Sequence, residues 1–364
     1  MKIIIAQKRY HSNSVGIVRG LLLRGHDVMI IAHTVGVSEN HDDLDPLIIP
    51  YGKLSSKLFS MLGGEKMRDH YAFPSLAVLW VRIRDFNPDL VILKKGRLSN
   101  LIISLFAGLI GAQRILLTNN PPKGMGRSWF KRTMIKIGIL PHICVCTTGG
   151  LTEVLQGTRI YDLWYRPYPV ELPNKPCEKN IVNKLRLLMV GKFNQDRKRL
   201  NWLIEAAFKA GLNPKETLIT IVGSGQEDSP SVNYLKDLAG RLGWTDSLKL
   251  VFNVSHRNMD DIYHQQDIFV MTARDEPFGM VVLEAMAHGL TVVCSDTVGA
   301  SDCISHGCNG FVYASDDIQE LSCLLSDLAS SPDLIYRIGC EARLTIKNNF
   351  TPEAYAKFFE SFVE

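Results

Sequence analysis

The stretch Asp267-Ile268-Phe269-Val270-Met271-Thr272-Ala273-Arg274-Asp275-Glu276-Pro277-Phe278-Gly279-Met280-Val281-Val282-Leu283-Glu284-Ala285-Met286-Ala287-His288-Gly289 reads as a strand, a short loop and a helix. Ile268–Met271 is apolar on consecutive positions, the mark of a strand covered on both faces. The loop carries Glu276, and the helix is expected to begin near Phe278–Gly279 with Glu284 more than one turn inside. The free N–H groups of such a helix start favour an anion, and Gly279 has no Cβ to block its approach.

The same alternation extends in both directions. Leu185–Val190, Leu218–Val222, Leu248–Phe252, Thr291–Cys294 and Gly310–Val312 read as further strands of the same series. An earlier series runs through Lys2–Ala6, Val28–Ala32, Leu47–Ile49, Leu90–Leu93, Arg114–Thr118 and Ile143–Thr147, with helical segments such as Val15–Arg24 and Ser99–Ile110 between strands. Strand-helix alternation implies right-handed crossovers and parallel sheets with both faces covered. Prolines crowd at Tyr165-Arg166-Pro167-Tyr168-Pro169 and Leu172-Pro173-Asn174-Lys175-Pro176, where neither period survives, and this reads as a linker. The expected architecture is α/β, two doubly wound parallel-sheet, Rossmann-like domains facing a cleft that holds the ligands. The expected division is residues 1–168, residues 169–348, and a C-terminal helix over 349–364 that packs back on the first domain. Thr351-Pro352-Glu353 supplies its N-cap, a proline at the first helical position and an early acid, and the helix should run to about Val363.

Length and composition agree with two soluble domains: the chain has 364 residues, 46% apolar and 21% charged, which excludes disordered and collagenous classes. The longest apolar stretch, Leu101 to Ala112, falls short of the ~20 residues that span a bilayer. The net charge of +4 hides a skew: residues 1–180 hold 24 Lys and Arg against 13 Asp and Glu, leaving 17 against 24 in the remainder. Between Asp89 and Glu153 lie nine Lys or Arg and no carboxylate. An anionic membrane surface is the expected partner of the basic half; nucleic acid is not, because no binding module is present. The eight cysteines never form CxxC and read as reduced, buried thiols; with no secretory leader pattern at Met1-Lys2, a cytoplasmic protein is expected.

Several residues could carry chemistry. Glu276 and Glu284 are acceptor-only groups suited to sugar and ribose hydroxyls, although acids at this spacing are common on solvated surfaces. Lys192 and Lys198, at the end of Leu185–Val190 and in its loop, would supply counter-charge to phosphate; Arg199 reads as a solvated turn residue. Gly223 and Gly225 in Val222-Gly223-Ser224-Gly225 allow close backbone approach, a weak signal shared with ordinary tight turns.

The ordered series Val190-Gly191-Lys192, Arg197-Lys198 ahead of Leu203-Ile204-Glu205-Ala206, Val222-Gly223-Ser224-Gly225, Glu276 through Gly289, and Gly307-Cys308-Asn309-Gly310-Phe311-Val312 resembles the donor half of retaining GT-B glycosyltransferases, more narrowly glycosyltransferase family 4, also called group 1. The resemblance covers about Leu185 to Val312. It implies a nucleotide-sugar donor, UDP- or GDP-linked, with Glu284 on the ribose and Glu276 on the donor sugar. It places the Phe278, Gly279 and Met280 backbone at sugar or phosphate, and base contacts near Asn253 and Val254. Lys192 stands where the family usually has Arg. Counting forward from Gly191 puts Arg197 at the family's lysine, whereas counting back from Leu203 puts Lys198 there, and Lys198 is the expectation.

The first half resembles the family only at Gly25-His26-Asp27-Val28. Its early Gly-Gly loop is replaced by Arg9-Tyr10-His11-Ser12-Asn13-Ser14-Val15-Gly16, and Asn120 stands where an acceptor-side histidine is usual. His11 and Lys95 or Arg97, at expected strand carboxyl ends, are alternatives for lining the acceptor side, and read equally well as solvated loop residues. The resemblance implies transfer to a hydroxyl on a glycan or lipid-linked acceptor, with no cofactor beyond the donor and no essential metal. Two other readings stay open, an inactive GT-B-like scaffold and a nucleotide-sugar epimerase or phosphorylase.

Asp43-Leu44-Asp45 matches a metal-gripping DxD but sits far from the donor half and reads as coincidence. His256, His264 and His288 read as helix-end or core histidines. Phe130, Met134 and Ile137 share a stripe beside cations in Arg127–Ile137, which makes that segment the expected point of headgroup contact, with an ordinary core helix as the equal alternative.

Overall fold

A computed structural model describes residues 1–10, 12–34, 44–94, 98–119, 129–136, 138–148, 162–173 and 184–363. The chain divides into two compact units, Met1–Pro169 with Thr351–Glu364, and Val170–Phe350.

In the first unit the strands are β1 (Lys2–Ala6), β2 (Asp27–Ala32), β3 (Leu47–Ile48), β4 (Leu90–Lys94), β5 (Gln113–Thr118), β6 (Ile143–Cys146) and β7 (Asp162–Tyr165). They form a parallel sheet in the order β3-β2-β1-β4-β5-β6-β7. Ile3, Ile4 and Ile5 on β1, and Val91 and Ile92 on β4, are fully buried, as the unbroken apolar runs required. The helices are α1 (Ser12–Leu23), α2 (Lys53–Tyr71), α3 (Leu76–Phe86), α4 (Leu98–Leu109) and α5 (Trp129–Lys136). Strand β7 lies where no strand was expected. It is an edge strand with one partner, so its residues alternate between exposed and half-buried instead of reading as an apolar run.

In the second unit the strands are β8 (Leu185–Val190), β9 (Thr217–Gly223), β10 (Leu248–Phe252), β11 (Ile268–Met271), β12 (Thr291–Ser295) and β13 (Phe311–Tyr313). All pair in parallel, in the order β10-β9-β8-β11-β12-β13. The helices are α6 (Asn201–Lys209), α7 (Pro230–Leu242), α8 (Met259–His264), α9 (Met280–Ala287), α10 (Ile318–Ala329) and α11 (Pro332–Asn349). Leu187, Ile204, Ile221, Trp244, Val270 and Leu325 meet in the core. At the amino ends of β8 and β11, the buried Asp267 carboxylate takes Nε and Nη2 of Arg186 at 2.9 and 2.7 Å, and also the Arg186 backbone N–H at 2.9 Å. The chain winds away on either side of the β8–β11 pair, so the loops at their carboxyl ends diverge and leave room for a ligand.

The last helix, α12 (Pro352–Glu360), belongs to the first unit. Thr351 caps it, its hydroxyl accepting from the Ala354 N–H. It ends at Glu360, short of Val363, where tertiary contacts take over: the Phe362 carbonyl accepts from Gln113 and its ring meets Trp164 edge-on at 5.4 Å. Glu360 grips Arg24 through both carboxylate oxygens, at 2.5 and 2.8 Å.

Four of the cysteines, 144, 146, 294 and 303, are buried free thiols as expected, but Cys308 and Cys323 are exposed. The first sits in the turn before β13 and the second on the outer side of α10, where the apolar character of the flanking sequence says nothing about facing. Cys177 lies outside the described residues.

α1 and α12 meet at Gly20, where a Cβ would stand 2.0 Å from the Pro352 carbonyl oxygen. Gly20→Ala is expected to destabilise the first unit by about 1–3 kcal/mol, read as a lower midpoint in chemical denaturation.

Candidate functional site

The chain leaves β8 through Gly191 and enters a short 3-10 turn, Asp196–Lys198; Arg199, left-handed at φ 48°, then directs it into α6. On the neighbouring strand, Thr272 follows β11, and its hydroxyl is shared between the carbonyls of Lys198 and Arg199, each at 2.9 Å. The Arg274 N–H donates to the Arg197 carbonyl at 2.7 Å. The two loops at the sheet's reversal are thus strapped together through main-chain atoms, which fixes where their side chains project.

Lys198 Nζ donates to Glu276 Oε2 at 2.7 Å, and Arg197 Nη1 donates to the same oxygen at 2.5 Å. Lys198 is buried and Arg197 half out in solvent. Burial alone would push the Glu276 carboxyl up, but the hydrogen bonds and charges of Lys198 and Arg197 outweigh it and hold the group below the ordinary carboxylate range. The Glu276 main chain is held too: Asp275 turns at φ 53°, and the Glu276 carbonyl accepts from the Gly299 N–H at 3.0 Å. Phe278 is buried, and its carbonyl accepts from the Ala300 N–H at 2.7 Å. Gly279 has φ 87°, and a Cβ there would lie 3.0 Å from Val298 Cγ1, so glycine satisfies both the backbone and the space ahead of Met280, where α9 begins.

Glu284, in the second turn of α9, has both oxygens engaged. The Tyr263 hydroxyl donates to Oε2 at 2.9 Å, and His256 Nε2 lies 3.5 Å from Oε1. The hydrogen bond to Glu284 raises the His256 imidazole above its ordinary value despite the opposing effect of burial. Tyr263 and His256 were not assigned to this site from sequence; they sit on α8 and in the turn ahead of it, and only folding brings them to α9. His288, buried at the end of α9, stacks on Tyr263 at 4.8 Å and faces the Glu284 carbonyl through Nδ1 at 2.8 Å, a core role as expected.

The Gly-Ser-Gly loop after β9 has a packing reason for its first glycine: a Cβ on Gly223 would be 2.1 Å from the Gly191 carbonyl oxygen. Asn253 pins this loop. Its side-chain amide exchanges two hydrogen bonds with the Gly225 backbone, at 3.1 and 3.2 Å, and its own N–H donates to the Gly223 carbonyl at 2.9 Å. Val254 follows, half-buried. Lys192 is exposed and forms no ion pair among the described residues. Arg199 is no solvated turn residue, because it binds Asp316 at 2.7 Å and lies over Trp202 at 4.5 Å, bracing the loop.

The structure therefore brings Arg197, Lys198 and Glu276 into one contact set, groups Glu284 with Tyr263 and His256, and ties Gly223 and Gly225 to Asn253. His11, Lys95, Arg97, Asn120 and Asp43 lie outside the described residues. Lys94, the last residue of β4, stands 5.7 Å from the Tyr168 ring centre, and burial lowers its ammonium to about 8. A lysine closing an apolar strand, Leu90–Leu93, was the available signal for it. Among the described residues no three His, Cys, Asp or Glu side chains converge as a metal cage would require.

If Glu284 holds the His256 proton, Glu284→Gln lowers the imidazole pKa toward 6.5, which a histidine NMR titration reads directly; an unmoved value would dissolve the pair.

Residues 174–345 match the family described as glycosyl transferases group 1. A D-inositol 3-phosphate glycosyltransferase of Streptomyces scabiei is 32% identical over 108 residues, 30% of this chain and 24% of that protein. The chain spans about a fifth to a half of the length of the curated relatives it matches. A glycosyltransferase structure from Rickettsia africae superposes with a TM-score of 0.74 at 19% identity, covering 99% of this chain and 97% of that one. Anabaena HepE in complex with UDP superposes with a TM-score of 0.71 at 14% identity, covering 99% of each chain. Those likenesses, over almost the whole length, give the chain the GT-B fold, and the match over residues 174–345 makes its second unit a glycosyl transferases group 1 domain.

Proposed function

We propose that the protein is a retaining glycosyltransferase that moves a sugar from a UDP- or GDP-linked donor to a hydroxyl. The observation that carries this reading is the Glu276 carboxylate held by Lys198 and Arg197 at the reversal of the second sheet, with Glu284 in the helix that follows. The solution of HepE with UDP supports a nucleotide-linked donor.

In this reading a diphosphate takes Lys198, Arg197 and the exposed Lys192, displacing the carboxylate that now occupies the first two. Glu276, released, meets the sugar hydroxyls; Glu284 takes the ribose diol; and the N–H groups at Gly279 and Met280 face the phosphates. The nucleoside lies along Gly223, Gly225, Asn253 and Val254. Transfer breaks the bond between the anomeric carbon and the diphosphate oxygen and forms one to the acceptor oxygen on the same face, while a donor phosphate oxygen receives the acceptor's proton. Catalysis then consists of orienting the reactants and stabilising the leaving group. The cations are supplied by side chains, so no metal is needed. The acceptor is a lipid-linked or cell-surface glycan precursor, met on the cytoplasmic side.

Glu276→Ala and Lys198→Ala are each expected to reduce turnover about 10²–10³-fold with folding intact, in assays that withstand EDTA. Normal turnover by both variants would remove the site assignment. UDP- or GDP-sugars should raise the thermal midpoint by mass action, and labelled donor should appear as a new glycoside with retained anomeric configuration. Glu276→Gln should bind UDP more tightly than the parent chain while losing transfer, because its side chain no longer competes for the two cations; weaker UDP binding would contradict the exchange.

A further inference from the structure

Helix α2 turns the usual amphipathic pattern outward. At ~100° per residue, Ser55, Ser56, Phe59 and Ser60 fall on one side, and all four are buried or half-buried. Ser55 secures that side, its hydroxyl donating toward the carbonyls of Gly52 and Phe73 at 3.0 and 2.8 Å. On the opposite side Leu54, Leu58, Met61 and Leu62 are 88%, 54%, 78% and 64% exposed. Gly63 and Gly64 then leave helical angles, so this apolar face ends at Leu62. Lys53 and Lys57, one turn apart, flank it; both are exposed, and among the described residues neither is paired with a carboxylate. The segment 53–62 holds no acid.

Four large apolar side chains at consecutive turns form a patch, where scattered single ones would need no explanation. Two features select its occupant. An apolar stripe edged by unpaired lysines complements a surface that is apolar within and negative at its rim. A contact between two copies of this face would offer those lysines no carboxylate, since 53–62 holds none. We propose that the outer face of α2 is a docking surface for an anionic lipid bilayer. The helix lies in the interface plane, with Leu54, Leu58, Met61 and Leu62 at the acyl boundary and Lys53 and Lys57 among the headgroups. The excess of Lys and Arg over residues 1–180 acts in the same direction. This face is separate from Arg127–Ile137, for which the sequence left headgroup contact and an ordinary core helix as equal alternatives.

The surface lies in the first unit and is tested without reference to sugar transfer. The full chain is sedimented with phosphatidylcholine vesicles containing about 30% phosphatidylglycerol, and with phosphatidylcholine vesicles alone, at low and high salt. The parent chain should bind the anionic vesicles at low salt and release as salt rises. Leu54→Ser/Leu58→Ser and Lys53→Glu/Lys57→Glu should each lower partitioning about tenfold or more at an unchanged thermal midpoint, because all four side chains are exposed. Absence of binding by the parent chain would overturn the proposal, as would undiminished binding by the leucine variant. So would a parent dimer, dissociated by that variant and indifferent to lipid.

Discussion

The contact between Lys198 and Glu276, 2.7 Å long and largely withdrawn from water, is the interaction around which the second unit's site is arranged. Such a pair gains little if its geometry is loose, because removing both charges from water offsets their attraction. Here the geometry is held by atoms other than the pair itself. Thr272 bridges two carbonyls of the loop that carries the cation, Arg274 ties to a third, and Gly299 holds the carbonyl of Glu276. The charged groups can therefore change partners while the main chain stays in place, as a site that takes up a charged ligand requires.

That arrangement depends on strand order. Because β8 and β11 are neighbours from which the chain winds away in opposite directions, two loops distant in sequence end side by side. The packing beneath them is close: Gly223 admits no Cβ against the Gly191 carbonyl, and Asp267 locks the opposite ends of the same two strands through Arg186. The first unit repeats the winding, with β1 and β4 at its reversal, and there a half-buried lysine, Lys94, closes β4. The two reversals differ in their charges. On the second sheet cations hold the Glu276 carboxyl down against burial, whereas on the first burial lowers the Lys94 ammonium.

Much of this was legible before any coordinates. Buried parallel strands are apolar at every position, so the interior strands of both sheets stand out, and β7 escaped because an edge strand is covered on one side only. Glu276, Lys198 and Glu284 were singled out because carboxylates and cations beside a helix start suit sugars and phosphates. Their partners were less visible: Tyr263 and His256 belong to other elements than Glu284, and the clamp of the Asn253 side chain on Gly225 joins two loops far apart in sequence. The outward leucines of α2 were missed for a related reason, since a stripe of helical period says that a face is apolar and not which way it points.

By itself the sequence determined the α/β class, the two series of strands, the break between them and the residue types able to hold a diphosphate and a sugar. These follow from local periodicity and from chemistry carried by single side chains. The tertiary structure decided which of those groups touch. It set Lys198 and Arg197 on one oxygen of Glu276, gave Glu284 two partners and left α2 with its leucines in solvent. Pairings of this kind depend on strand order and on the packing of whole elements, which no single segment encodes.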